Sequence, residues 1–246
     1  MIKLQKSFIA GIIAVAIFAG LLYLFLQREN ERVNQTANIT MSQPIVSWQK
    51  ITISEEMNNS VITINSPRIK IYDHYDLASK VKSAITEQIE YSKDWFISGV
   101  TTAAEDNGEE NTLRIDTEVL LLTPRLISLA FTSTEHLAGI QDSDPEQLFL
   151  VFDLVNGESL KEGNELFRDD IAWSRAVKIM KNYLLADYQG DPNCDLFFAP
   201  RHNGFAASCI GIDRSRGGAH LSITGNISIS MVQEFLDPSV LSDIVQ

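Results

Sequence analysis

Residues 148–188 read LFLVFDLVNGESLKEGNELFRDDIAWSRAVKIMKNYLLADY, and this stretch decides the fold. From Leu148 to Leu154 every letter but Asp153 is apolar, and Asn156-Gly157 ends the run. That pattern predicts a buried strand closed by a turn. From about Asp170 to Tyr188 the period changes. Trp173, Val177, Met180 and Leu184 recur at steps of three and four, the stripe of an amphipathic helix. A strand pair follows the helix, so the chain does not continue as a strand-helix alternation. Cys194 and Cys209, the two cysteines of the chain, flank two β-rich runs around Arg201-His202-Asn203-Gly204, which reads as a hairpin. Folding back near 201–204 sets the cysteines opposite or diagonal, within bridging reach. A disulfide is expected there; two reduced cysteines on one hairpin face are the alternative.

Upstream, Trp48–Ile53 and Val61–Asn65 alternate apolar and polar letters as half-buried strands do. Leu77, Val81, Ile85, Ile89, Phe96 and Val100 form the stripe of another long helix, with Asp76 as its expected N-cap. An acidic turn at 105–111 closes it. Two strands follow, Leu113–Thr123 and Arg125–Thr132, separated at Pro124, which lacks the amide hydrogen a ladder needs. Downstream of the hairpin come a strand at His220–Thr224 and a short helix around Ser230–Leu236. The expectation is an α+β fold, a mixed but mainly antiparallel sheet with two long amphipathic helices, preceded by an N-terminal transmembrane helix.

That first helix is read from residues 8–26, FIAGIIAVAIFAGLLYLFL, in which 17 of 19 letters are apolar and none is charged. At 1.5 Å per residue it spans roughly 28 Å, about the thickness of a bilayer's hydrocarbon core. Lys3 and Lys6 precede it, which favours a cytoplasmic N-terminus and export of the remainder. A cleaved signal peptide is the rival reading, but no small-x-small site closes the run. The expected layout is a cytoplasmic tip at 1–7, a transmembrane signal-anchor at 8–26 and a polar stalk at 27–43. An N-terminal α+β subdomain at 44–130 and a C-terminal domain at 131–246 complete it. The whole chain carries 20 Lys+Arg against 32 Asp+Glu, a formal net charge of -12. Such a chain repels phosphate backbones, so no nucleic-acid partner is expected.

FDLVNGESLKEGNELF, from Phe152 to Phe167, resembles the core motif of a bacterial extracytoplasmic domain of unknown function. That domain is best known as the exported, lysozyme-binding part of RsiV-type anti-sigma factors, and it also stands beside the catalytic domain of some peptidoglycan deacetylases. FFAPRHNGFAAS at 197–208 is similar to its hairpin, and HLSITGNISISMVQEFL at 220–236 to its closing strand and helix. The resemblance covers roughly residues 48–236. The chain departs from the family at the Gly-Gly-Ala-His-like turn, whose place holds His136-Leu137-Ala138-Gly139-Ile140, while GGAH occurs at 217–220. An anti-sigma role is not expected, since about seven cytoplasmic residues hold no sigma-binding domain.

Residues that could carry chemistry are scattered. A serine hydrolase elbow, G-x-S-x-G, does not occur. The four histidines, His74, His136, His202 and His220, lie in distant segments, so neither a metal set nor a cofactor is expected. Asp73-His74-Tyr75-Asp76 reads as a helix start, and Asp142, Asp144 and Glu146 as a solvated loop lacking the Gly and distal Glu of an EF-hand. Glu135 and His136 are strand neighbours pointing to opposite faces. Cys194 with His202 could form a thiol pair, a weaker reading than the disulfide. Arg214-Ser215-Arg216-Gly217-Gly218 is a basic, glycine-rich turn on an acidic protein. With His136, Arg214 and Arg216 are the candidate ligand contacts. The expected function is a non-catalytic, membrane-anchored domain for ligand binding or envelope sensing. Its expected partners are the lipid bilayer through residues 8–26 and lysozyme, peptidoglycan or another envelope protein. An envelope hydrolase or deacetylase-associated factor, and a structural partner of another membrane protein, are the alternatives.

Overall fold

The alternating segments that follow residue 44 extend well beyond their clearest letters. In the computed structural model they pair as the antiparallel hairpin β1 (Val46–Met57) and β2 (Ser60–Ile71). The structure describes residues 45–57, 60–102, 110–138, 145–160 and 163–245. The expected tip, membrane span and stalk lie outside the described residues, as do Asp142, Asp144 and residues 105–109 of the acidic turn. Among the described residues no helix is long and apolar enough to cross a membrane.

Helix α1 (Tyr75–Thr102) carries the chain from β2 to β3 (Asn111–Leu122), which lies parallel to β2. Asp76 is not the N-cap but lies in the first turn, because the His74 carbonyl already accepts the Ala78 amide at 3.0 Å. An acid in that turn still favours the positive end of the helix dipole. β4 (Leu126–His136), β5 (Glu146–Asp153) and the two-residue β6 (Glu158–Ser159) add antiparallel strands in sequence order. Every other pair in this six-stranded sheet is antiparallel, so the expected mixed, mainly antiparallel α+β fold is present.

Alternation splits the sheet's side chains between two cores. Ile127, Leu129 and Phe131 of β4 pack with Val81, Ile85 and Phe96 of α1. Leu126 and Ala130 of the same strand face the other way, toward Ala176 and Met180 of α2 (Asp170–Leu184). Position 130, the expected end of an N-terminal subdomain, therefore lies mid-strand with neighbours in both cores. In β3 the register shifts between Val119 and Leu121, leaving Leu120 as an extra residue. This bulge turns Leu120 and Leu121 onto one face, so both enter the second core.

The quoted stretch 148–188 reaches the expected elements. Asp153, 3% exposed, accepts the Val155 amide at 2.7 Å and the Asn156 side-chain amide at 2.9 Å. One buried carboxylate thus fixes the Asn156-Gly157 turn, where Gly157 takes φ +70°. Helix α2 starts at an Asp169 cap that accepts the Ala172 amide at 2.7 Å. It ends at Leu184, short of Tyr188, because Leu185 to Tyr188 continue as non-helical turns.

Strands β7 (Pro192–Arg201), β8 (Gly204–Asp213) and β9 (Ala219–Ser228) form a separate three-stranded antiparallel sheet. The β7–β8 turn falls at His202-Asn203, with Asn203 at φ +59°, a conformation asparagine tolerates well. Gly204 is required next to it, since a Cβ there would run into the Ile227 carbonyl oxygen. The helix expected around Ser230–Leu236 is instead two short 3-10 turns, Ile229–Met231 and Gln233–Phe235. The terminal helix α3 is Pro238–Ile244, placed by Pro238 in its first turn and by Asp237 accepting the Ser239 amide at 2.8 Å.

Candidate functional site

The two cysteines sit one diagonal step apart on the hairpin. Cys194 pairs with Gly211, Cys209 pairs with Leu196, and their Cα atoms stand 5.5 Å apart in a disulfide. Gly211 has no room for a side chain, because a Cβ would meet the Asn193 carbonyl oxygen and the Cys194 Cα. The bridge packs with Leu221 and is flanked by Leu184, Leu185, Tyr188 and Ile223 as a small core of its own.

At the end of β8, above this core, lies a polar cluster that organises the basic turn. Asp213 is 1% exposed. Its carboxylate accepts the Tyr188 hydroxyl at 2.5 Å, the Ser215 hydroxyl at 2.7 Å and the Ser215 amide at 2.9 Å. The Asp191 amide adds a longer bond at 3.2 Å. These donors, the Tyr188 hydroxyl first, hold the Asp213 carboxyl well below the usual carboxylate range despite its burial. The same bond, with burial, pushes the Tyr188 hydroxyl up.

The cluster accounts for one of the candidate contacts. Arg216 pairs with Asp213 at 3.3 Å and lies over the Tyr188 ring, 5.9 Å from its centroid. It serves first to close the turn. Arg214 is exposed in the Arg214–Arg216 3-10 turn, and Gly217 and Gly218 take the expected positive φ of 71° and 85°. His136 lies at the end of β4 opposite Thr112, on the other sheet from the strands that the Arg214–Arg216 turn joins. Beside it, burial and the nearby Glu146 push the Glu135 carboxyl up. Among the described residues no group of three or more His, Cys, Asp or Glu side chains gathers to hold a metal.

The folded-state shift of Asp213 has a definite pH signature. A depressed carboxyl contributes stability that is fully present above the unfolded pKa of about 3.9 and is lost as pH falls toward the folded value. Asp213→Asn is therefore expected to lower the urea midpoint clearly at pH 7. The gap to the wild type should narrow steadily as the titration is repeated from pH 4.5 downward. A gap independent of pH would contradict this role.

Sequence reasoning missed a concave site elsewhere. Between α1 and the β1–β2 hairpin lies a cavity of about 680 Å³, within the range of small-molecule sites. Its floor includes Ile51, Ile53, Ile69, Ile85 and Ile89, and its basic residues are Arg68, Lys70 and Lys82. These positions come from three elements, so no local motif announces them. The available signal was that Lys82 has no acidic residue three or four positions away on its helix.

The fold and site define a disulfide-closed α+β domain with an open groove beside its long helix. No family model and no curated protein matches the chain. Among solved structures it is similar to a DUF3298 family member from Bacteroides fragilis NCTC 9343, at 15% identity and a TM-score of 0.48, covering 82% of this chain and 97% of that one. It is also similar to a DUF3298 family protein from Pseudomonas aeruginosa PAO1, at 15% identity and a TM-score of 0.45, covering 80% and 96%. These neighbours are bacterial proteins of a domain family of unknown function.

Proposed function

We propose that the chain is a single-pass protein of the plasma (inner) membrane that displays a non-catalytic, RsiV-like domain outside the cytoplasm. There it binds a ligand or senses the state of the envelope, with lysozyme and peptidoglycan as candidate ligands. Charge carries this reading. Setting aside residues 1–43, with four Lys+Arg and two Asp+Glu, leaves 16 against 30, a net charge of -14. A strongly basic partner such as lysozyme is steered toward such a domain by long-range attraction. The apolar run at 8–26 behind Lys3 and Lys6 supports the anchoring, and the motif at Phe152–Phe167 supports the kinship.

The test is retention of the full chain, in detergent, on immobilised lysozyme and on insoluble peptidoglycan. Retention on at least one is expected at 0.01 M salt, and retention on lysozyme is expected to weaken several-fold at 0.15 M as the Debye length shrinks from about 30 to 8 Å. No retention on either at low salt overturns the proposal. Turnover of wall fragments that is lost in Asp76→Ala or His136→Ala would make the protein an enzyme instead.

A further inference from the structure

We infer that the groove between α1 and the β1–β2 hairpin is a binding site for a single-chain anionic lipid, its acyl chain on the isoleucine floor and its headgroup among Arg68, Lys70 and Lys82.

Three observations carry the inference. The first is the lining's charge. Among the described residues thirteen line the groove, three of them cationic and none acidic, although Asp+Glu outnumber Lys+Arg by 30 to 16 over residues 44–246. On such a domain a patch of bare cations is the feature that stands out against the background.

The second is that these cations, like most others on the domain, have no carboxylate partners among the described residues. Lys93, further along α1, bonds Glu55 at 2.9 Å and Glu90 at 3.3 Å. Arg114 bonds Asp116 at 2.6 Å, and Arg216 pairs with Asp213. Around Lys82, by contrast, positions three and four away hold Ala78, Ser79, Ile85 and Thr86, all of them lining residues. The cross-strand partners of Arg68 and Lys70 are Gln49 and Ser47, neither charged. The neighbouring positions therefore leave the positive charge uncompensated, which suits an anionic headgroup.

The third is what the floor lacks. Ile53 is 44% exposed, and Ile51, Ile69 and Ile89 are half-buried, so the groove presents apolar surface to water. Its uncharged polar side chains are the hydroxyls of Ser66, Ser79 and Thr86, and Ser66 is buried. A peptide laid there meets few uncharged side-chain partners for its backbone amides and carbonyls, the three hydroxyls apart. An acyl chain has no such groups, and its burial gains about 0.8 kcal/mol per methylene.

The experiment uses the full chain in proteoliposomes and two diazirine-bearing probes of equal chain length, dodecyl phosphate and dodecanol. Cross-linked peptides are mapped by mass spectrometry after illumination. The phosphate probe is expected to label the peptides holding Ile51, Ile53, Ile69, Ile85 and Ile89, about tenfold above the alcohol. Lys70→Glu combined with Lys82→Glu removes two cations from solvent-exposed positions and is expected to lower phosphate-probe labelling about tenfold, leaving alcohol labelling unchanged. Thr86→Trp, which fills the groove from an exposed helix position, is expected to abolish labelling by both probes. Circular dichroism checks that each variant keeps its fold. Equal labelling by the two probes overturns the inference, as does undiminished phosphate labelling of the charge-reversed variant. Labelling centred on the exposed Trp48, Tyr91 and Trp95 overturns it too. Each result can occur whether or not lysozyme is retained, so the two proposals fail independently.

Discussion

Phe205→Ala is expected to destabilise the domain by about 3–5 kcal/mol, a large part of the 5–15 kcal/mol typical of a folded domain. Phe205 is 0% exposed and belongs to the larger hydrophobic core. Its ring stacks on Phe167 at 6.4 Å and meets Phe198 edge-on at 5.8 Å, while Phe167 and Phe198 stand 5.9 Å apart. The three rings join β7, β8 and the segment leading into α2. Truncating Phe205 removes its burial and opens a cavity in the larger core. Urea titration followed by tryptophan fluorescence reads the loss. A change below about 1.5 kcal/mol, the size of a conservative core swap, would show that the site relaxes around the missing ring.

The second large effect belongs to the disulfide. Its sequence separation is 15 residues, and closing a loop of that size is worth about 3 kcal/mol on the chain-entropy account. Replacing Cys194 and Cys209 together by serine is expected to lower the unfolding free energy by about that amount. Both sulfur positions are buried, so the loss of their packing with Leu221 adds to it. Superposable titrations of the variant and the oxidised wild type would contradict the assignment of a stabilising bridge.

The hairpin was legible because its signals are local. A turn at 201–204, β-rich runs on both sides and two cysteines at matching distance need no knowledge of the rest of the chain. The two long helices were legible for the same reason, since their stripes run uninterrupted over several turns. The end of the chain misled. Met231, Val232, Phe235 and Leu236 have helical spacing, yet Val232 and Leu236 reach the core from the residues that cap two 3-10 turns, and the stronger start signal was Asp237-Pro238. Composition does not show that β4 supplies alternate residues to two cores at once. Asp213 was overlooked beside its more conspicuous arginines, and its main donor, Tyr188, lies 25 residues away. The groove depends on β1, β2 and α1 meeting, a tertiary event that no window of sequence contains.

The claim on which the account turns is that an oxidised domain stands outside the cytoplasm. Spheroplasts expressing the full chain can be treated with a membrane-impermeant maleimide before and after reduction under mildly denaturing conditions. The account predicts no labelling before reduction and labelling of both Cys194 and Cys209 after reduction and partial unfolding, with the membrane still intact. Labelling that requires lysis, or labelling of free thiols without reductant, would contradict it.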